Sequence, residues 1–247
     1  MKWSVYNDLA WVDDILAPPE ACEEEALLYI EAIKRRIPAN NPTMLHLGCG
    51  AGRLDFHFKR HFWVTGVDLS EGMLDLAKTI NPQIAYVKGD MRTVKLNEKF
   101  DVVIIPDAIA YMTTLEDLKA TLQNASAHMK PDGIILITAH TKEDFRNNNF
   151  AYAGEKDGVH ITLLENNHMV SDSTYEAAFI YLIRRDGDLS VSHEVHTLGL
   201  FPHEEWMRIF QACQLHVEEM DLDHLYSPYV LQDGWYRLKV FIGACAQ

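Results

Sequence analysis

The sequence predicts an α/β protein built on a doubly wound, mostly parallel sheet, with a separate antiparallel sheet inserted late in the chain. Three observations carry that expectation. Short apolar runs alternate with amphipathic stretches from about residue 43 to residue 140. The first of those runs ends on a cluster of glycines. After Ala139 the alternation gives way to strand-like segments joined by polar turns. With 247 residues, 48% of them hydrophobic and 23% charged, the chain suits one packed α/β domain carrying an insertion.

Residues 20–36 follow Pro19 and the acidic start Glu23-Glu24-Glu25, which suits a helix N-terminus. With Ile37 they set Leu27, Leu28, Ile30 and Ile33 at near-helical spacing. Asn41-Pro42 breaks this lead-in helix, and Met44-Leu45-His46-Leu47 reads as a short buried strand. A helix from about Arg53 to His61, a strand Trp63–Val67, a helix from Ser70 to about Ile80 and a strand Ile84–Val87 continue the rhythm. Strand Val102–Ile105 precedes a helix over 114–129, with Thr114 as N-cap. Lys130-Pro131-Asp132-Gly133 reads as a turn before strand Ile134–Ala139. The insertion is read as Val159–Glu165, Thr174–Arg184 and Leu189–Leu198, with a turn at Asp186-Gly187. A helix over 203–213, a strand near Leu215–Met220 and a last, antiparallel strand Leu238–Ala244 complete the sheet.

Charge and cysteine usage narrow the function classes. Lys and Arg number 22 against 36 Asp and Glu, a formal charge of −14, so no long-range field gathers nucleic acid. Cys22, Cys49, Cys213 and Cys245 stand far apart with no C-x-x-C pair, which predicts reduced thiols in a cytoplasmic protein. No apolar stretch has the length of a membrane span. His193-Glu194-Val195-His196 lacks metal-site spacing, because residues three apart on a strand point to opposite faces.

The most informative segment is Gly48-Cys49-Gly50-Ala51-Gly52, between a strand and a helix at the carboxyl edge of the sheet. Glycines there let backbone approach a ligand, and the following helix presents unpaired N–H groups. The dinucleotide fingerprint G-x-G-x-x-G fails at Arg53, which disfavours a nicotinamide cofactor. Asp68 closes the second strand, where a carboxylate can accept from both hydroxyls of a ribose. Asp90, in Gly89-Asp90-Met91-Arg92, ends the third strand at the same edge and either accepts from an adenine amino group or serves a turn.

Through LHLGCGAG, GVDLSEGMLDLA, VKGDM, FDVVIIPDAIAYM and LKATLQNASAHMKPDGIILI, residues 43–140 resemble class I S-adenosylmethionine-dependent methyltransferases. The resemblance implies a Rossmann-like sheet and a cofactor site made by Tyr6, Gly48, Cys49, Gly50, Gly52, Asp68, Leu69, Met73, Asp90, Met91 and Asp107. The glycine loop would meet the methionine end, Asp68 the ribose, and Asp90 and Met91 the adenine, with Leu69 and Met73 as apolar contacts. It also divides the single domain 1–247 into a lid and helix (1–42), a cofactor-binding core (43–140), a substrate cap (about 145–200) and a completing segment (201–247). Residues 158–222 resemble, more loosely, the branch containing nucleotide-linked amino-sugar N-methyltransferases. Two positions depart from the pattern. His46 stands where the family has an acidic residue, and Cys22 where the sugar branch often has tyrosine, so Tyr6 or Trp11 is left for the lid role.

Methyl transfer from a sulfonium needs an in-line nucleophile, a dry pocket and, for a protonated amine or alcohol, a base. Tyr111 follows the fourth strand on the side where substrate meets the methyl group, and His140 ends the fifth strand at the same edge. These two are the catalytic candidates, His140 being the better base on intrinsic chemistry. Asp107 can instead hold an amine substrate by charge, and Phe150, Tyr152, Tyr226 and Trp235 can wall a pocket. A nucleotide-linked substrate would need local cations, for which Lys142, Arg146, Lys156, Arg184 and Arg185 are available. The expected activity is methyl transfer to a small-molecule nucleophile such as an amine, with no nucleic-acid or membrane partner. The alternatives are a non-catalytic S-adenosylmethionine-binding protein and a nicotinamide-dependent oxidoreductase.

Overall fold

A computed structural model describes residues 4–6, 8–232 and 235–245, so the outermost ends of the expected single domain lie outside the described residues. The helices are α1 (Asp13–Leu16), α2 (Glu23–Lys34), α3 (Arg53–Phe58), α4 (Glu71–Ile80), α5 (Leu115–Ala127) and α6 (His203–Ala212). The parallel strands before the insertion are β1 (Thr43–Leu47), β2 (Trp63–Asp68), β3 (Ala85–Lys88), β4 (Phe100–Pro106) and β5 (Met129–Ala139). The insertion holds β6 (Asn148–Lys156), β7 (Val159–Met169), β8 (Thr174–Arg185) and β9 (Asp188–Gly199), and β10 (Leu215–Leu222) and β11 (Leu238–Cys245) close the chain.

Seven strands form the central sheet in the order β10-β11-β5-β4-β1-β2-β3, with β11 antiparallel to both its neighbours. Adjacent β1 and β4 are separated in sequence by β2 and β3, so the winding direction reverses between them and leaves a crevice at their carboxyl ends. Both faces of β4 are covered, which is why its sequence FDVVIIP is nearly continuous in apolar residues. Val103 and Ile105 pack with Leu118, Leu122, Trp206 and Phe210 of α5 and α6. Val102 and Ile104 pack with Tyr29, Ile30, Ile33 and Phe58 of α2 and α3. Side-chain caps start two helices: Ser70 accepts from the Met73 N–H and Thr114 from the Asp117 N–H, at 3.3 and 3.1 Å.

Three expectations need correction. Leu27 is exposed, and α2 buries Ala26, Tyr29, Ile30 and Ile33 instead. The Lys130–Gly133 turn lies inside β5: Phe100 pairs with Met129 and Val102 with Ile134, so the intervening residues bulge where Pro131 has no N–H for the ladder. The inserted sheet has a fourth strand, β6, joined to β7 by a second left-handed Asp-Gly turn at Asp157-Gly158. Its sequence NNFAYAGEK lacks clean alternation, although the Asp-Gly pair itself was visible.

The inserted sheet, ordered β6-β7-β8-β9, turns one face toward the core. That face carries Phe150, Tyr152, Glu165, Asn167, Tyr175, Phe179, Tyr181, Glu194 and His196, while Leu164, Ile180, Val191 and Val195 face outward. The segment before α2 is wedged between core and cap. Leu9, Trp11, Ile15 and Leu16 pack against Val159, Ile161, Tyr181 and Ile183, and Ala10 packs against Ala51 and Met73. Among the described residues no helix is long and apolar enough to cross a membrane.

The cap meets the core most closely where β9 ends: a Cβ on Gly199 would stand 2.0 Å from the Met112 carbonyl oxygen. Gly199→Ala is therefore expected to lower stability by about 1–3 kcal/mol. Urea unfolding checks this, and an unchanged midpoint would contradict the packing.

Candidate functional site

The turn after β1 lies directly against the turn after β4. Gly48, Gly50 and Gly52 have φ of 75°, 53° and 69°, conformations that side-chain-bearing residues rarely adopt. A Cβ on Gly48 would fall 2.3 Å from the Cβ of Ala108, whereas one on Gly50 would meet nothing within 4 Å. Gly50 thus opens its backbone onto free space, as a ligand cradle requires. The loop is tied to β2 by the Gly48 and Cys49 N–H groups, which donate to the Val67 carbonyl at 2.7 and 3.0 Å. Asp68 bridges the loop and α4: its carboxylate accepts from the N–H groups of Gly50 (2.9 Å) and Ser70 (2.8 Å). Each oxygen keeps acceptor capacity for a further donor.

A buried polar network holds the loop from beneath. His46 Nδ1 lies 2.7 Å from Asp55 Oδ1, Tyr86 donates to Asp55 Oδ2 at 3.0 Å, and Asn81 donates to the Gly52 carbonyl at 2.7 Å. His46 faces the α2–α3 layer, where its ring meets Phe58, so its unusual identity is answered by Asp55. Arg53, the residue that breaks the dinucleotide spacing, donates to Asp13 at 3.1 Å and ties α1 to the start of α3.

Opposite the loop, the residue ending β4 occupies a strained backbone state: Asp107 has φ 51° and ψ −41°. Its surface is exposed, yet removal from bulk water pushes its carboxyl pKa up to about 6, against a lowering contribution from the Tyr226 hydroxyl. Both facts hold together if the open side of Asp107 faces an enclosed cleft rather than solvent. Tyr29, Tyr152, Tyr175, Tyr226 and Tyr236 all lie within electrostatic reach of it. So do two further carboxylates. Glu25 of α2 is raised to about 7 by burial and then by Asp107, and Glu165 of β7 to about 7 by burial first. Burial thus raises all three acids, which share their surroundings with a set of tyrosines.

Beside the chamber, the Tyr6 and Tyr111 hydroxyls are in hydrogen-bond contact, and the Tyr111 hydroxyl lies 2.8 Å from His196 Nδ1. Burial is the first cause raising Tyr111 well above the usual tyrosine value, so it remains a neutral hydroxyl. His140 is buried among Phe145, Tyr175 and Tyr236 and donates through Nδ1 to the Arg237 carbonyl at 2.9 Å. Burial lowers its pKa to about 4, which makes it a weak base at neutral pH.

The remaining expected site residues are placed as follows. Asp90 accepts from the Arg92 N–H and guanidinium, which also holds its pKa below the usual carboxylate value, so it serves the turn. Met91 extends over Gly48, its Cε 3.2 Å from where a Cβ there would stand. Leu69 is exposed at the rim. Met73 and Cys49 are buried and support the loop from within. Tyr6 reaches the loop side as well, its carbonyl accepting from the Ser70 hydroxyl. Trp11 turns to the cap, beneath Arg185. Phe150, Tyr152 and Tyr226 join the aromatic wall, but Trp235 is half exposed.

Four of the five cations considered for a phosphate are engaged elsewhere: Lys142 with Asp172, Arg146 with the Glu143 and Phe145 carbonyls, Arg184 with the Gly187 carbonyl, and Arg185 with Trp11. Sequence reasoning missed Glu25, Glu165, Tyr29, Tyr175, Tyr236, Glu194 and His196. The alternate placement of Glu194, His196 and Leu198 along one strand was the available signal for the last pair.

Residues 44–133 match a family described as a methyltransferase domain. The chain is 27% identical over 195 residues to a dTDP-3-amino-3,6-dideoxy-alpha-D-glucopyranose N,N-dimethyltransferase of Streptomyces fradiae, covering 77% of this chain and 76% of that protein. It is 27% identical over 203 residues to a dTDP-3-amino-3,4,6-trideoxy-alpha-D-glucopyranose N,N-dimethyltransferase of Streptomyces venezuelae, covering 80% and 84%. The crystal structure of Streptomyces venezuelae DesVI superposes with a TM-score of 0.80 at 24% identity, over 97% of this chain and 96% of that one. The fold is therefore that of the Rossmann-like methyltransferases, cap included.

The raised carboxyl of Asp107 has a stability consequence. Its folded-state pKa lies above the unfolded value, so its relative stabilisation is full below about pH 4 and lost as pH rises through about 6. Asp107→Asn is expected to melt with wild type near pH 4 and a few degrees above it at pH 8. Melting curves across pH check this, and coincident curves at pH 8 would contradict the enclosed position of the carboxyl.

Proposed function

We propose that this class I S-adenosylmethionine-dependent methyltransferase methylates the amino nitrogen of a small molecule of the amino-sugar class. The observation that carries the reading is the position of Asp107: a carboxylate at the carboxyl end of β4, across from an open glycine loop, inside a chamber shared with Glu25 and Glu165. An ammonium group fits such a chamber, and the names of the two dimethyltransferase relatives support an amino sugar.

The residues fit the cofactor. When bound, S-adenosylmethionine supplies an electrophilic methyl group. The backbone of Gly48–Gly52 would receive its methionine end, the two oxygens of Asp68 its ribose hydroxyls, and Met91 and Leu69 its apolar edges. Cys49 and Met73 shape the loop from behind, and Tyr6 closes the cleft from the lid. Asp90 keeps its role in the turn.

Asp107 is assigned to the substrate amine rather than to the cofactor. It holds the positive charge near the reacting position while the tyrosine wall excludes water and orients the amine. Tyr111, at the lip of the same chamber, accepts a hydrogen bond from the amine. Orientation of this kind is worth on the order of 7–11 kcal/mol of barrier, more than a base alone contributes. Four free cysteines among the described residues suit the reducing cytoplasm, where we place the protein.

Two measurements test the reading. Calorimetry with S-adenosylhomocysteine is expected to show saturable binding that weakens about 10- to 100-fold in Asp68→Ala, through loss of two hydrogen bonds to a charged group. In a methyl-transfer panel of free amino sugars, nucleotide-linked amino sugars, phenols and carboxylates, product is expected only from amines. Asp107→Asn should raise KM for the amine about tenfold with cofactor affinity nearly unchanged. Methylation of phenols or carboxylates alone, or of nothing, would overturn the assignment.

A further inference from the structure

The inserted sheet places a histidine and a glutamate behind the Tyr111 hydroxyl. His196 and Glu194 sit two residues apart on β9, on the face turned to the core. His196 is fully buried, with Nδ1 2.8 Å from the Tyr111 hydroxyl and Nε2 3.6 Å from Glu194 Oε1. Glu194 is itself held in place by the Ser4 N–H at 3.0 Å, and its side chain is 13% exposed. The chain of groups therefore runs from the Tyr111 hydroxyl, through an imidazole, to a carboxylate whose side chain keeps some exposure.

Glu194 Oε1 near Nε2 favours the imidazole proton on Nε2; Nδ1 is then free to accept from the Tyr111 hydroxyl, whose oxygen can in turn accept from Tyr6. Tyr111 stays protonated, so it cannot serve as a base alone. It can gain a proton only as it loses one, and the acceptor at hydrogen-bond distance is His196.

Resting on the amine reading above, we propose that His196, oriented and charge-stabilised by Glu194, takes the proton of the substrate amine through the Tyr111 hydroxyl. An N–H proton of the bound substrate ammonium passes to the Tyr111 oxygen as the Tyr111 proton passes to His196 Nδ1, leaving neutral amine, neutral tyrosine and imidazolium. The nitrogen lone pair so freed forms the new N–CH3 bond, and the electron pair of the broken S–CH3 bond stays on sulfur. The imidazolium releases its Nε2 proton to water by way of Glu194, and proton exchange returns the ring from the Nδ1–H to the Nε2–H tautomer before the next turnover. Tyr111 is the group that touches substrate; His196 and Glu194 act through it and are positioning residues.

Among the described residues, these groups face the imidazole. Tyr111 and Tyr6 approach from the core and the lid, with ring centroids at 5.9 and 5.7 Å. From β8 come Ala177, its strand partner, and the uncharged Phe179 ring at 5.0 Å. On its own strand stands Glu194, which also lies within electrostatic reach of Tyr6, Tyr111 and Tyr181. Burial lowers the His196 pKa and Glu194 pulls it upward, so the imidazole is neutral and ready to accept at neutral pH.

His196→Gln keeps an acceptor for Tyr111 but cannot take up a proton. With saturating amine it is expected to lower kcat about 100-fold and to abolish the acidic limb of the kcat–pH profile, with KM and S-adenosylhomocysteine affinity within about threefold of wild type. Tyr111→Phe is expected to match it, and the double variant to be no worse than either. Glu194→Gln should move the acidic limb to lower pH. Independently of turnover, NMR titration of the His196 ring in the cofactor-free protein should show its midpoint falling further in Glu194→Gln. Should His196→Gln fail to fold, the Glu194→Gln profile and the ring titration decide. Amine turnover with an unchanged profile in these variants, or a ring midpoint unmoved in Glu194→Gln, overturns this inference alone. A wild-type protein that methylates no amine overturns the parent reading and this one with it.

Discussion

The close approach of two backbone turns governs this molecule. Reversal of winding between β1 and β4 leaves their carboxyl ends side by side, and the turns that follow pack so tightly that Gly48 has no room for a side chain against Ala108. Everything with chemical potential is arranged around that contact. Gly50 and Asp68 lie on one side of it, Asp107 and Tyr111 on the other. The polar layer of His46, Asp55, Tyr86 and Asn81 beneath the loop keeps it from collapsing into the space it borders. The strain at Asp107 is the local cost of aiming a carboxylate across the crevice.

Enclosure sets the electrostatics. The seven-stranded sheet supplies the floor, but the lid and the inserted sheet remove the water. The lid is bound on both sides, to the loop region through Arg53–Asp13 and Ala10–Met73 and to the cap through the cluster around Val12 and Tyr181. Burial then pushes Glu25 and Glu165 into the neutral range, where carboxyl groups exchange protons readily.

Most of the parallel core was legible because its signals are local. The glycine cluster, Asp68 at the end of β2, the Ser70 and Thr114 caps and the apolar run of β4 each express a short-range rule, and each element appears where that rule puts it. The chamber was only half legible. Asp107 and Tyr111 sit beside the parallel strands and could be named, but Glu25, Glu165 and His196 come from three distant elements whose convergence depends on how the cap folds back. The basicity of His140 was hidden for a related reason: the sequence shows an imidazole at a strand end, whereas its basicity depends on the rings of Phe145, Tyr175 and Tyr236 closing over it. β6 escaped because Asn148, Asn149 and Gly154 interrupt its period, and its place is set by pairing with β7 and with Val230.

The account's central claim is that the crevice between the two turns holds an adenosyl sulfur compound, with its sugar on Asp68 and its sulfur facing the acidic chamber. A crystal structure of the complex with S-adenosylhomocysteine tests it most directly. The account predicts both ribose hydroxyls within hydrogen-bond distance of the Asp68 carboxylate and the sulfur directed between Asp107 and Tyr111. Nucleoside density elsewhere, or a crevice closed by side chains with Asp68 turned wholly to Gly50 and Ser70, would contradict it.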